Sequence, residues 1–190
     1  MSIVSDAIIE IYLARFTVCK VYPESIVTEI EQPNFPHLIQ KFIYNQQHPN
    51  NISNANILPT FYGKITIYIS AIATFYAPSD ISGVGGMHCE CIHAVKSWRK
   101  GPAHYDTIFV NTNSSLDGMQ GLDVAHVRLF FSFSFEGIEY PCTLMHWLSC
   151  MDDSPDDHTG MWVVQPDDNS ASIIHLDTIF RASHLLPVFG

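Results

Sequence analysis

The densest run of metal-ligating side chains is MHCECIH, where His88, Cys89, Cys91 and His93 fall within six residues. Zinc takes thiolate sulfur and imidazole nitrogen, so the residue types suit a zinc-stabilised domain. On a strand, side chains alternate between faces. Cys89, Cys91 and His93 would then share one face and His88 the other, and at most three could converge. Structural zinc sites join separate chain segments, so this one would need a remote ligand such as His104 or Cys150. Metal-assisted phosphoryl transfer makes a different demand, because two or three carboxylates must converge on an ion pair. Asp106, Asp123 and Asp177 are the strand-associated carboxylates, but no β-β-β-α-β pattern of the ribonuclease-H type carries them. They are expected to cap turns or bond backbone at strand ends.

Other candidate chemistry is sparser. DDSPDDHTG (Asp152 to Gly160) is dense in acid but lacks the alternating ligand placement and terminal Glu of a calcium loop, so a solvated hairpin loop is expected. GVGGM is followed by no Lys-Ser or Lys-Thr and fits a tight turn with positive φ better than a phosphate cradle. Cys142 and His146 would lie on one face of a strand about 13 Å apart, too far for a thiolate–imidazole pair, which leaves Cys142 as a small core residue. Trp98, Trp147 and Trp162 could wall a cage for a methylated lysine or stack on a base, and Trp147 and Trp162 on successive strands could equally fill a core. The residues call for no cofactor.

The elements that must position these groups follow from periodicity. Leu38, Ile39, Phe42 and Ile43 recur at helical spacing from Pro36 to Gln47, with Pro36 suited to a first turn and Pro49 ending the pattern. Upstream, the sequence suggests a short helix at Asp6 to Arg15 and strand-like or poorly ordered pieces at Phe16 to Val21 and Ser25 to Ile30. From Phe61 the period becomes two. Phe131, Phe133 and Phe135 alternate with Ser132, Ser134 and Glu136, and an Glu136-Gly137 turn sends the chain back antiparallel. At least six strands follow one another with turn signals between them and no helices. The expected fold class is α+β, mainly β: a helical preface over 1–44, a linker or long loop over 45–60, and a small antiparallel barrel or sandwich over 61–190. At the C-terminus, Leu176, Ile179, Leu185, Leu186 and Val188 are expected to be buried.

Composition limits the function. Hydrophobic residues make up 47% and charged ones 15% of 190 residues, enough apolar material for one packed core. The charge of −10 is uneven: the chain to Leu116 carries a net −1, and from Asp117 onward only Arg128 and Arg181 offset eleven acids. Phosphate backbones are bound by several Lys and Arg, so direct nucleic-acid binding is not expected, and SWRK (Ser97 to Lys100) is the lone positive patch. Five cysteines without a dense framework suggest a reducing, intracellular compartment. Asp6 and Glu10 interrupt any signal-peptide core, and the uncharged stretch Ile65 to Ser79 is shorter than the roughly 20 residues that cross a bilayer, so no membrane association is expected.

Several longer words follow one another in order: GVGGM (Gly83 to Met87), SWRKGPAHYDTIFVNT (Ser97 to Thr112), EYPCTLMHW (Glu139 to Trp147), DDHTGMWVVQPD (Asp157 to Asp168) and IIHLDTIFRASHLLPVFG (Ile173 to Gly190). With these words the chain, from about Val27 to its last residue, resembles the C-terminal region of proteins encoded by Plavaka-type DNA transposons of fungi, which belong to the DDE transposases. The resemblance implies a non-catalytic accessory domain, or a truncated remnant, of a transposase-like protein. It also implies a nuclear location, a nuclease domain lying upstream of this region, and as partner the remaining transposase portion or another protein. It further implies arginines where this chain has Cys89, Cys91, His93, His104, His126 and Cys150. Two alternatives stand beside it. One is a protein-interaction barrel that recognises a peptide or chromatin mark through Trp147, Trp162 and the acidic loop, and the other is the zinc-stabilised domain.

Overall fold

A computed structural model describes residues 10–14, 17–49, 58–76, 86–97, 100–116, 118–152 and 154–188. It is α+β and mainly β, with one α-helix, α1 (Phe35–Gln47), among the described residues. The strands are β1 (Glu10–Leu13), β2 (Thr17–Val21), β3 (Ile65–Tyr68), β4 (Ser70–Tyr76), β5 (Met87–Val95), β6 (His104–Tyr105), β7 (Thr107–Asn111), β8 (Leu122–Phe135), β9 (Ile138–Cys150), β10 (Val164–His175) and β11 (Ile179–Ser183). They form two antiparallel sheets rather than a closed barrel. One has the order β1-β4-β5-β6; the other runs β10-β9-β8-β3-β2, with β7 beside the first half of β8 and β11 beyond β7.

The chain passes between sheets at two corners. At Ile69 it leaves β3 for β4, and at Asp106 it leaves β6 for β7. Both corners are tied to β5: the Ala94 N–H donates to the Ile69 carbonyl at 2.9 Å, and the Asp106 N–H donates to the His93 carbonyl at 2.9 Å. The Asp106 carbonyl in turn accepts from the Val127 N–H of β8 at 3.0 Å. Backbone groups that would be orphaned at a strand break are thereby paired.

The β8–β9 hairpin organises the rest. Its turn residues Glu136 (φ 51°) and Gly137 (φ 81°) are both left-handed, as a two-residue hairpin with the native twist requires. Both faces of the hairpin are covered. Leu129, Phe131, Phe133, Cys142 and Leu144 pack against Phe35, Ile39, Phe42 and Ile43 of α1 and against Ile26 and Ile30. On the other face, Ala125, Val127, Phe130 and Met145 pack against Ala71, Ala73, Ile92 and Ala94 of the four-stranded sheet. The parity of β8 changes between Val127 and Leu129, where the register with β9 shifts. Arg128 is the extra residue of that bulge, so odd-numbered residues face one core before it and the other after it.

Several sequence expectations are corrected. Residues 10–13 form β1, paired with β4, where a helix is expected; residues 6–9 and 15 lie outside the described set. The alternation of Ile11 and Leu13 against exposed Glu10 and Tyr12 has period two, and pairing overrides the helical propensity of so short a run. Residues 26–30 form a turn in which the Ile30 N–H donates to the Ile26 carbonyl at 3.0 Å, burying both isoleucines on one side. The helical preface is not separate from the later strands, because β1 and β2 pair with β4 and β3 and α1 shares a core with β8 and β9. Within the expected linker, residues 50–57 lie outside the described set. The tail departs most: Leu176 and Ile179 are buried, but Leu185, Leu186 and Val188 are exposed because no described strand pairs beyond Ser183.

Candidate functional site

The residues with the strongest chemical potential meet at the Asp106 corner. His93 comes from β5, His104 from β6, and Asp106 from the bend that follows. One ring nitrogen from each histidine and one Asp106 oxygen all lie within 4.8 Å of one another. His93 Nδ1 stands 3.1 Å from Asp106 Oδ2, and His104 Nε2 stands 2.9 Å from Oδ1. The His93 backbone N–H also donates to Oδ2, at 2.7 Å, so the carboxylate is aimed by the main chain of β5. The imidazoles meet edge to face with centroids 5.3 Å apart. His93 and Asp106 are mostly covered, with side-chain exposures of 18% and 26%, whereas His104 at 45% leaves one side open to water.

Next to this corner is a second polar cluster on the seven-stranded sheet. The Arg128 guanidinium sits 4.8 Å over the Tyr105 ring and donates to Glu31 Oε2 at 3.2 Å. His126 and His146 are directly opposed across β8 and β9, and His146 Nε2 lies 3.1 Å from Gln32 Oε1. Burial, then the Arg128 charge, then His146 hold the His126 imidazole below its ordinary range, and the Asp106 charge acts in the opposite sense. Burial and then Arg128 do the same to His146. Both imidazoles are therefore biased towards the neutral form. Beside this cluster a cleft of about 470 Å³ runs between the 26–30 turn and the sheet corner. Ile26, Ile30, Ile67 and Leu129 give it apolar walls, and Glu29, Lys96, Tyr105 and Arg128 give it polar ones.

The sequence-predicted residues are distributed unevenly about this site. His93 and the remote ligand His104 belong to the corner cluster. Cys89 and Cys91 share the outward face of β5 with His93 but are exposed, and among the described residues they join no ligand group. The reason is strand rise: successive side chains on one face stand about 7 Å apart, so three of them cannot reach one ion from a regular strand. His88 turns to the other face and stacks on Phe75 at 5.8 Å. Cys150 is exposed at the end of β9.

Asp106 does not converge with Asp123 and Asp177. Asp123 is exposed opposite Val110, and Asp177 is exposed and pairs with His175 Nδ1 at 2.7 Å. Cys142 is fully buried; burial, reinforced by the Asp177 charge, pushes its thiol far above the ordinary range, so it is no nucleophile. In the acidic loop, Asp156 Oδ1 accepts from the His158 N–H and from both the N–H and the hydroxyl of Thr159, at 2.8–3.2 Å. The Thr159 hydroxyl and backbone bonds hold the Asp156 carboxyl below its usual range, so this oxygen closes a turn.

The tryptophans form no cage among the described residues. Trp147 packs against the inter-sheet core, and its indole N–H donates to Ser172 Oγ at 3.1 Å. Trp162 is half-buried ahead of β10, and Trp98 lies outside the described residues. The sequence put none of Arg128, His126 and His146 in a candidate site: Arg128 counted only as an offsetting charge, His126 as a position where the resemblance implies arginine, and His146 as too far from Cys142. Arg128 had a legible signal, as the one charge between Val127 and Leu129 in a run that is otherwise apolar from Val127 to Phe131.

No family model matches the chain, nor does any curated protein or solved structure.

Proposed function

We propose that this chain is a non-catalytic binding and assembly domain of a transposase-like protein, the role that its resemblance to the C-terminal region of Plavaka-type proteins implies. The observation that carries this reading is the 470 Å³ cleft. Its apolar walls offer burial to a partner side chain, and Lys96 and Glu29, 4.0 Å apart, give it charge of both signs. Among the described residues no histidine lines it, and the one carboxylate there faces a lysine rather than a second acid, which suits recognition better than proton transfer or metal-assisted cleavage. The net charge of −10 on the whole chain favours a protein partner over a phosphate backbone. The tryptophan-based reading has no comparable support, since the Trp147 N–H is already satisfied inside the sheet.

The test adds the upstream nuclease region of a Plavaka-type protein in trans and follows amide hydrogen exchange. Protection at residues 26–30, 94–97 and 128–129 is expected, and it should be lost in Ile30→Asp. A mixture in which no segment gains protection overturns the assembly reading. Metal-dependent nicking of plasmid DNA by the purified chain, abolished by Asp123→Asn, would overturn the non-catalytic part.

A further inference from the structure

We infer that His93, His104 and Asp106 form a binding site for a first-row divalent cation, with Zn²⁺ the best match, that pins β5 and β6 to the bend where the chain leaves their sheet for the other. The inference stands apart from the cleft and its partner.

The donor geometry comes first. A tetrahedral zinc ion with nitrogen and oxygen arms of about 2.0–2.1 Å holds its ligands about 3.3–3.4 Å apart. His104 Nε2 stands 2.9 Å from Oδ1, His93 Nδ1 stands 3.1 Å from the other carboxylate oxygen, Oδ2, and one donor atom from each residue lies within 4.8 Å of the other two. Closing the widest pair from as much as 4.8 Å to about 3.4 Å asks for up to about 1.4 Å of movement, which rotation of the His93 and His104 side chains supplies. Two neutral imidazoles and one carboxylate suit zinc, copper or nickel, whereas magnesium and calcium require mostly oxygen ligands.

The supporting shell is also present. The His93 N–H holds Asp106 Oδ2, which leaves Oδ1, the oxygen nearer His104, as the ligating atom. Outer hydrogen bonds of this kind fix the direction of a metal-bound carboxylate. Half-exposed His104 provides an entry path and room for water as a fourth ligand. The chain segments complete the argument: His93 lies on β5, and His104 and Asp106 bracket the passage from β6 in one sheet to β7 in the other. Joining separate segments is what the Cys89–Cys91 stretch could not do alone.

Asp106 would also be satisfied by two protonated imidazoles, and the experiment separates that ion-pair arrangement from a metal site. The full chain, stripped with chelator, is titrated with Zn²⁺ by calorimetry and with Co²⁺ by visible absorption. One equivalent is expected, with the intense visible bands of four-coordinate Co²⁺. Zinc at 100 times Kd should raise the melting temperature by about 5–10 °C in a chain of this size. His104→Gln should weaken binding at least about 100-fold, since loss of even an outer partner costs 10–100-fold. The double variant His93→Arg, His104→Arg keeps cations beside Asp106 without metal ligands, so it should fold and show no zinc response. Zinc uptake by the native chain no greater than that of this double variant overturns the site. So does uptake that survives in the double variant and disappears in Cys89→Ser, Cys91→Ser.

Discussion

The two cores on either side of the β8–β9 hairpin are built from different material. The face towards α1 is aromatic: Phe35 meets Phe131 edge-on at 5.3 Å, Phe42 meets Phe133 at 6.1 Å, and Phe61 meets Phe133 at 5.1 Å. The face towards the four-stranded sheet uses Ala71, Ala73, Ala94, Ala125 and Ala182 around Ile92, Phe130 and Met145. Large rings fill the wide gap between a helix and a sheet. Small residues let two backbones approach, and at the corner that approach brings the β5 main chain into hydrogen-bonding contact with Asp106. The aromatic core buries the larger side chains; the alanine-rich core lies where the chain changes sheets, beside the polar seam.

That contrast can be broken from either side. Phe131→Ala empties a fully buried ring position and should cost about 3–5 kcal/mol in urea unfolding. Ala125→Leu overfills the opposite face and should cost about 1–3 kcal/mol, because Ala125 is fully buried in a packed core. The two should also differ in kind: the alanine variant should loosen α1, seen as faster amide exchange over 35–47, and the leucine variant should disturb His93 and Asp106.

Protonation sharpens the comparison at the boundary between the cores. His126 and His146 have folded-state values below the unfolded 6.5, so the unfolded chain binds more protons there. Their contribution to stability is fully present above about pH 6.5 and is lost as pH falls from there through the lower folded-state values. Unfolding midpoints should therefore fall between pH 7.5 and 5.5. Arg128→Gln should lessen that fall, with the imidazole resonances of both histidines titrating at higher pH by NMR. The smallest effect belongs to the exposed end of β5: Cys89→Ser with Cys91→Ser should leave stability within about 0.5 kcal/mol.

Much of the fold was legible because its signals were local. The i, i+3, i+4 spacing of Ile39, Phe42 and Ile43 predicted α1, and the Phe/Ser alternation with the Glu136-Gly137 turn predicted the hairpin. Ser132 marks the limit of the pattern, since it is buried and lies 3.2 Å from both Tyr68 Oη and Glu139 Oε1. The sheet exchange at Ile69 and Asp106 was not legible, because corners depend on what β5 offers from elsewhere in the chain. The candidate site divided in the same way. His93 and Asp106 stood out by residue type, and His104 as a possible remote ligand, but their meeting depends on the β5–β6 pairing of Ala94 with Tyr105 and Val95 with His104. The exposed tail residues Leu185, Leu186 and Val188 show the opposite failure, where hydrophobic type suggested burial and no described strand provided it.

The bulge at Arg128 makes the hairpin unable to slide. An evenly alternating strand can slip by two residues and still show its apolar side to the same neighbour. On β8 the sidedness inverts part-way along, so any slip moves the inversion point away from the place where β9 accommodates it and exposes apolar groups on one half or the other. A single unpaired residue thus gives this long pair of strands one alignment, and with it a fixed distance from the hairpin turn to the seam where the sheets meet.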